Sequence, residues 1–173
     1  MIEILRNRRS ARTFENRAIE PEKVQILKEA LLRSPSSRSI NPWEFIVVDE
    51  ARTLQTLAGC KPHGASFLNG ASLGVVVIAD TAKSDTCVED CSIAAITLQY
   101  AAESIGLQSC WCQVRMRNHS TETSAEEYLK EVLQIPERLM IECVIAVGYP
   151  IQRQPPHPSD GLNWGKIREN RWE

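Results

Sequence analysis

The chain has 173 residues, of which 43% are hydrophobic and 24% are charged, and its formal net charge is −2. This composition excludes a disordered or fibrous protein and predicts one compact domain over residues 1–173. A net charge so close to zero argues against nucleic-acid binding through the overall field of the protein. No apolar run reaches the roughly 18 residues of a membrane helix, and the N-terminus has no signal-like apolar region. We therefore expect a cytoplasmic protein without a membrane partner.

Helical and strand-like segments alternate along the chain. Capping residues and the spacing of apolar side chains predict helices at 2–7, 19–34, 50–58, 89–105 and 124–133. Runs of β-branched and aromatic residues predict strands at 43–48, 73–79, 109–114 and 141–147. The strand at 73–79 is apolar on both faces, which indicates an internal position in a sheet. Together these elements predict a layered α/β or α+β domain.

The last 23 residues, 151–173, differ from the rest of the chain. A proline-rich stretch at 154–158 is typical of extended chain, and Trp164 and Trp172 are large apolar side chains close to the terminus. We expect a tail with two tryptophans to pack against a protein surface. It either folds back over its own domain or embraces a second subunit as an extended arm.

Six cysteines could indicate disulfides, a metal site or ordinary buried thiols. A cytoplasmic chain is expected to keep its thiols reduced, and the sequence contains no C-x-x-C pair. Ordinary buried thiols are therefore favoured, since free cysteine is often fully buried. A redox or metal module remains the alternative, and it would use Cys87, Cys91, Cys110 and Cys112.

Several common catalytic and nucleotide-binding signatures do not occur in the sequence. The glycines form neither a G-x-G-x-x-G dinucleotide fingerprint nor a phosphate-binding loop ending in Gly-Lys-Ser/Thr. There is no G-x-S-x-G nucleophile motif, and the three histidines have no metal-ligand spacing. These observations disfavour hydrolases and zinc enzymes, and no metal ligand is predicted.

An arginine cluster is the strongest candidate for a binding site. Arg6, Arg8, Arg9 and Arg12 surround Ser10 just after the first predicted helix. Guanidinium groups bind phosphate in a bidentate manner, and a serine hydroxyl adds a neutral donor, so this segment suits one phosphate group. The alternative is a solvated basic turn paired with surface acids.

Two other segments offer polar groups that could serve the same ligand. The loop from Pro35 to Pro42 contains Ser36, Ser37, Ser39 and Asn41 immediately before a strand, although turn residues also occur in ordinary helix-to-strand connections. In the tail, Lys166 and Arg168 could add positive charge to a phosphate site.

Taken together, these segments resemble the FMN-dependent nitroreductase family. The resemblance rests on short motifs that occur in family order over nearly the whole chain: RRSARTF at 8–14, SPSS at 34–37, NPWEF at 41–45, EDCSIAA at 89–95, GLQSCW at 106–111 and IAVGYP at 145–150. It implies an α+β sandwich with a mostly antiparallel sheet flanked by helices. It also implies an intertwined homodimer in which residues 151–173 form an extended C-terminal arm that packs on the partner subunit.

The resemblance also implies an FMN site at the dimer interface. By position, Arg8, Arg9, Ser10 and Arg12 would hold the flavin phosphate and ribityl chain, and Lys166 or Arg168 would complete the phosphate site. Pro35, Ser36, Ser37 and Ser39 would reach the flavin of the other subunit. Asn41 would join them, although many family members have Gln before this Pro-Trp pair. Gln108 and Ser109 would lie near the isoalloxazine ring.

The implied activity is electron transfer from NAD(P)H to a nitroaromatic or quinone acceptor by a ping-pong mechanism. The cofactor would carry the redox chemistry, so no catalytic acid or base is predicted among the side chains. The tail departs from the family, because Lys166-Ile167-Arg168 stands where a Lys-Val-His type sequence is common. The alternative function is a flavin-binding or flavin-handling protein without nitroreductase turnover.

Overall fold

A computed structural model describes residues 1–172 of the chain. The helices are α1 (Ile2–Asn7), α2 (Pro21–Leu32), α3 (Ala51–Ala58), α4 (Cys87–Ser104) and α5 (Ala125–Leu133). The strands are β1 (Trp43–Val48), β2 (Leu73–Asp80), β3 (Gln108–Gln113) and β4 (Leu139–Gly148). Each lies within a few residues of its predicted position.

The four strands form one antiparallel sheet with the order β1-β2-β4-β3. Every residue of β2 is buried, because β1 and β4 flank this strand and side chains cover both of its faces. The predicted internal strand is therefore confirmed. The β2–β4 register shifts between Val77 and Ile78, so that Glu142 of β4 is the extra residue of a β-bulge.

Helices cover both faces of the sheet. On one face, Leu54 and Leu57 of α3 and Leu129 of α5 belong to one apolar cluster. On the other face, Leu27 of α2 and Leu98 of α4 belong to a second cluster. This arrangement confirms the expected α+β fold with an antiparallel sheet between helices. No helix within residues 1–172 combines the length and apolar character needed to cross a membrane.

Helix α4 is central to the fold and ends at a glycine-dependent turn. It packs on α1, α2 and all four strands, which explains why its sequence is apolar nearly all round. Gly106 follows it with a φ of +85°, a left-handed conformation that glycine adopts without strain. This turn leads directly into β3 at the edge of the sheet.

All six cysteines are free and buried, as predicted for ordinary thiols. Burial raises the pKa of Cys91 to about 12, which keeps this thiol protonated at neutral pH. No group of three or more potential metal ligands occurs in residues 1–172.

Candidate functional site

The arginine-rich segment lies against the edge strand β3. Ser10 forms a parallel bridge with Ser109, and the backbone N–H of Ala11 donates to the carbonyl of Ser109 at 3.1 Å. Farther along the segment, Phe14 pairs with Pro150 just beyond the end of β4. The fold thus brings the predicted arginine motif to Gln108 and Ser109, which are separated from it by about 100 residues of sequence.

The arginines of this segment have different partners. Arg8 is half-buried and donates to Gln99 Oε1 at 3.4 Å, whereas Arg9 donates to the carbonyl of Pro155. Arg12 is exposed and has no ion pair or hydrogen bond with another residue in 1–172. Burial raises the pKa of the Cys110 thiol, while the charge of Arg12, a hydrogen bond from Ser10 and the charge of Arg8 oppose this rise. The positive charges of Arg8 and Arg12 therefore lie near the start of β3.

Two buried polar atoms beside this charge have no hydrogen-bond partner in the described chain. They are Gln108 Oε1 and Ser109 Oγ, and both residues are almost completely buried. Gln108 Nε2 donates to Glu103 Oε2 at 3.4 Å. Because a carboxylate only accepts hydrogen bonds, this contact turns the amide nitrogen toward Glu103 and leaves Oε1 free.

An unpartnered buried polar atom is costly, so these positions suit a polar ligand. Guanidinium donors, a hydroxyl group and an amide acceptor are suitable contacts for a ligand that carries a phosphate and further polar groups. The residues present therefore fit FMN. Two other buried atoms of residues 1–172, Trp43 Nε1 and Glu142 Oε2, also have no hydrogen-bond partner but belong to other parts of the sheet.

Sequence reasoning missed three residues that support this site. Gln99 accepts from Arg8, and Glu103 contacts both Gln108 and Arg153. Arg153 donates to Glu103 Oε1 at 2.7 Å and to the carbonyl of Gly106 at 2.9 Å, which ties the base of the tail to the α4–β3 turn. A signal was present, because Gln99 and Glu103 lie four residues apart, and therefore on one face, in the mostly apolar second half of this helix.

The serine-rich loop lies at the other end of α4. Ser36 Oγ donates to Asn41 Oδ1 at 2.7 Å and accepts from the backbone N–H of Asn41 at 2.9 Å, which closes the loop on itself. The backbone N–H of Ser37 donates to Asp90 Oδ1 at 2.8 Å, and Arg38 pairs with Asp85. The hydroxyl group of Ser39 is exposed, as is the ring of Pro35.

One chain does not bring the loop and the arginine cluster together. The 18 residues of α4 span about 27 Å. The loop contacts the first turn of this helix, whereas Gln108 and Ser109 follow its last turn. The predicted site residues therefore form two groups at opposite ends of α4.

The tail residues form a third group. Arg168 donates to the carbonyls of Gly165 and Ile167 and lies over the ring of Trp172, 5.5 Å from its centre. Within residues 1–172, neither Lys166 nor Arg168 bonds to the arginine motif. Every residue from 151 to 172 is exposed, with Trp164 at 69% and Trp172 at 83%. The polar contacts of Arg153 and Pro155 hold the start of the tail near its own domain, but no residue from 151 to 172 is buried against that domain.

A second exposed apolar surface lies on α1 and α4. Helix α1 has no buried residue, and Ile2 and Leu5 are exposed. A groove of about 270 Å³ between the two helices is lined by Met1, Ile4, Thr97, Tyr100, Ala101 and Ser104. A larger cleft of about 500 Å³ lies beside residues 14–19 and 69–73, but it includes none of the predicted site residues.

Comparison with known proteins gives consistent matches. The family model "Nitroreductase family" matches residues 5–61 and 60–149. A protein of Archaeoglobus fulgidus named "Putative NADH dehydrogenase/NAD(P)H nitroreductase" is 30% identical over 99% of this chain and 98% of its own length.

Two solved structures resemble the whole fold. The FMN-dependent nitroreductase from Clostridium difficile R20291 is 38% identical, with a TM-score of 0.97 over 99% of this chain and 100% of the other. A protein from Parabacteroides distasonis, with the same name as the Archaeoglobus protein, is 36% identical, with a TM-score of 0.88 over 99% of this chain and 98% of the other.

Proposed function

Because this chain belongs to the nitroreductase family, we propose that it is an FMN-dependent oxidoreductase. It transfers electrons from NAD(P)H to an electron-poor organic acceptor of the nitroaromatic or quinone type. The observation that carries this proposal is the arginine motif beside two buried atoms without partners, Gln108 Oε1 and Ser109 Oγ. The name of the similar Clostridium difficile protein, FMN-dependent nitroreductase, supports the same cofactor.

Each residue of the cluster has a role that follows from its chemistry. Arg8 and Arg12 bind the FMN phosphate through charge-assisted hydrogen bonds, and Ser10 adds a hydroxyl donor. Arg9 already donates to Pro155 and contributes its remaining N–H groups and its charge. Gln108 accepts a hydrogen bond from an N–H or O–H group of the cofactor through Oε1, and Ser109 bonds through Oγ.

The complete site requires a homodimer. Pro35, Ser36, Ser37, Ser39 and Asn41 lie far from the arginines of their own chain and contact the cofactor held by the other subunit. The exposed tail crosses to that subunit, where Lys166 and Arg168 add charge beside the phosphate. The apolar surface of α1 and α4 is suited to the subunit interface, since a short helix without buried residues is marginal by itself.

The protein contributes binding, orientation and exclusion of water. FMN, when bound, supplies the redox chemistry that no side chain here provides. NAD(P)H and the electron acceptor would bind one after the other at the same position beside the cofactor, which would give ping-pong kinetics. No side chain is assigned as a catalytic acid or base.

A visible spectrum of the purified protein tests this function. We expect a yellow protein whose absorbance bleaches with NADH or NADPH under anaerobic conditions and returns when a quinone or nitroaromatic compound is added. Colourless protein that FMN cannot restore would contradict the proposal. Bound flavin without NAD(P)H oxidation would instead indicate a flavin-handling protein.

A further inference from the structure

The loop from Ser36 to Asn41 has a backbone conformation that is costly for its sequence. Arg38 and Ser39 have φ values of 55°, and Asn41 has a φ of 51°. Residues with side chains rarely adopt this left-handed region, and such conformations persist only where surrounding structure enforces them. The Ser36–Asn41 hydrogen bonds restrain the loop from within, and contacts outside the loop add to that restraint.

Asp90 is the buried group that holds this loop. It lies in the first turn of α4, is 2% exposed, and its Oδ1 accepts the backbone N–H of Ser37 at 2.8 Å. Its Oδ2 accepts the hydroxyl of Thr86 at 3.1 Å. The carboxylate thus links the loop to the start of the central helix through both oxygens.

Packing alone does not account for a carboxylate at this position. Burying a carboxyl group is costly unless its oxygens receive hydrogen bonds, and an apolar side chain would avoid that cost. The ion pair between Arg38 of the loop and Asp85, just before α4, is exposed and contributes little by itself. Among the hydrogen bonds of residues 1–172, Ser37–Asp90 is the one that joins the loop to α4.

We propose that Asp90 is a positioning residue for the cofactor site of the other subunit. This inference rests on the proposed function, in which the loop serves the FMN held by the arginines of the partner. Asp90 itself does not contact the cofactor. It acts through the backbone of Ser37 and fixes the direction in which Ser36, Ser37 and Ser39 present their polar groups.

The position of Asp90 makes its effect appear in the partner subunit. The loop contacts the first turn of α4, whereas Ser109 and the arginine motif of the same chain lie beyond the last turn. A change at Asp90 should therefore leave the arginine half of its own subunit intact. A general loss of folding would instead affect both halves of the same chain.

FMN binding by homodimers is the first test. We expect Asp90→Ala to weaken FMN affinity about 10- to 100-fold, the range found for groups that orient the ligands of metal sites through hydrogen bonds. Asp90→Asn should remain close to wild type, because its amide oxygen still accepts from Ser37 and its amide nitrogen can donate to Thr86. Glu131→Ala, an exposed change on α5, is the matched control. Affinity is read from quenching of FMN fluorescence, and unchanged affinity in Asp90→Ala would overturn the proposal.

Mixed dimers are the second test. Asp90→Ala and Arg12→Ala subunits with different tags are co-expressed, and heterodimers are isolated through both tags. One site then combines an intact arginine motif with an intact loop, and the other site carries both defects. We expect one tight FMN site per heterodimer and none in either variant homodimer.

The outcomes separate this inference from the proposed function. Heterodimers without a tight site would show that Asp90 acts within its own subunit, which overturns the inference. Wild-type protein that does not bind FMN, or Arg12→Ala that binds normally, would contradict the assigned cofactor site and the inference with it. If Asp90→Ala does not fold, Thr86→Val replaces it, since this variant loses only the hydroxyl that supports the carboxylate.

Discussion

Arg12 is a surface cation without an acidic partner in residues 1–172, which distinguishes it from the neighbouring Arg6 and its ion pair with Glu3. If Arg12 binds phosphate, Arg12→Ala should weaken FMN binding about 10- to 100-fold, since a charge-assisted hydrogen bond contributes roughly 1.5–3 kcal/mol. Arg8→Ala should act in the same direction. Equilibrium dialysis with FMN measures the effect, and Arg33→Ala is the control because Arg33 is an exposed residue at the end of α2 that pairs with Glu29. Equal affinity in all three variants would contradict the assignment.

Glu20 predicts a pH dependence of stability. A hydrogen bond from Tyr149, at 2.5 Å, and another from Arg17 lower the pKa of Glu20 from its ordinary value of 4.5 to about 2. A lowered pKa means that ionised Glu20 stabilises the fold above pH 4.5 and that this contribution is lost as the pH falls toward 2. The Tm of the wild type should therefore exceed that of Glu20→Gln at pH 7, and this difference in Tm should shrink below about pH 4.5. Thermal unfolding of both proteins across this pH range measures the difference in Tm. A difference that does not change with pH would contradict a stabilising role of ionised Glu20.

The sequence predicted the chemistry of individual residues better than their conformations. Arg8, Ser10 and Arg12 could be chosen because their side chains suit phosphate in any compact fold. The left-handed backbone of Arg38 and Ser39 could not be predicted, because the support comes from Asp90, which is distant in sequence. The burial of Gln108 could not be predicted either, because it depends on the packing of β3 against α4.

At the scale of elements, the close approach of the N-terminal segment to β4 requires Gly148. A Cβ added there would lie 2.9 Å from the ring of Phe14 and 3.2 Å from Ser72 Oγ. Gly148→Ala should therefore destabilise the protein by about 1–3 kcal/mol through overpacking and displace the segment that carries the arginines. Denaturant unfolding should show the lower stability of this variant, and its FMN affinity should be weaker than that of the wild type. Gly70→Ala is the control, since a Cβ there has open space and stability should stay within about 1 kcal/mol of wild type.

Element positions followed closely from the sequence, and the differences have local causes. Helix α4 begins at Cys87 rather than at Glu89, because helix ends depend on capping contacts that apolar periodicity does not report. The segment between the helix predicted at 50–58 and the strand predicted at 73–79 contains a short helical turn at Ser66–Gly70. No pattern in the sequence indicates the bulge at Glu142, since the bulge depends on the pairing between β2 and β4.

At the scale of the whole molecule, the exposed tail predicts a strong effect on assembly. Trp164→Ala should weaken dimerisation by about 2 kcal/mol or more, roughly thirtyfold, because buried tryptophans dominate many protein interfaces. Sedimentation equilibrium measures the dissociation constant. Ile26→Ala, which alters an exposed apolar residue of α2, should have little effect. A monomeric wild-type protein would contradict the shared site.

Cofactor binding should also stabilise the whole assembly. FMN at 100 times its dissociation constant should contribute about 2.7 kcal/mol, which corresponds to a rise in Tm of roughly 5–10 °C for a chain of this size. Riboflavin should have a smaller effect at equal concentration, because it offers no phosphate to Arg8 and Arg12. Thermal melts of the apoprotein with each ligand measure the difference, and equal shifts would argue against a phosphate site.

The exposed tail has a consequence for the life of the protein in a cell. Under the proposed homodimer, a newly synthesised subunit displays 151–172 until it meets a second copy. Exposed termini are preferred sites of proteolytic cleavage. Quality control can therefore remove unpaired subunits, so that the rate of synthesis relative to the rate of pairing sets how much chain survives.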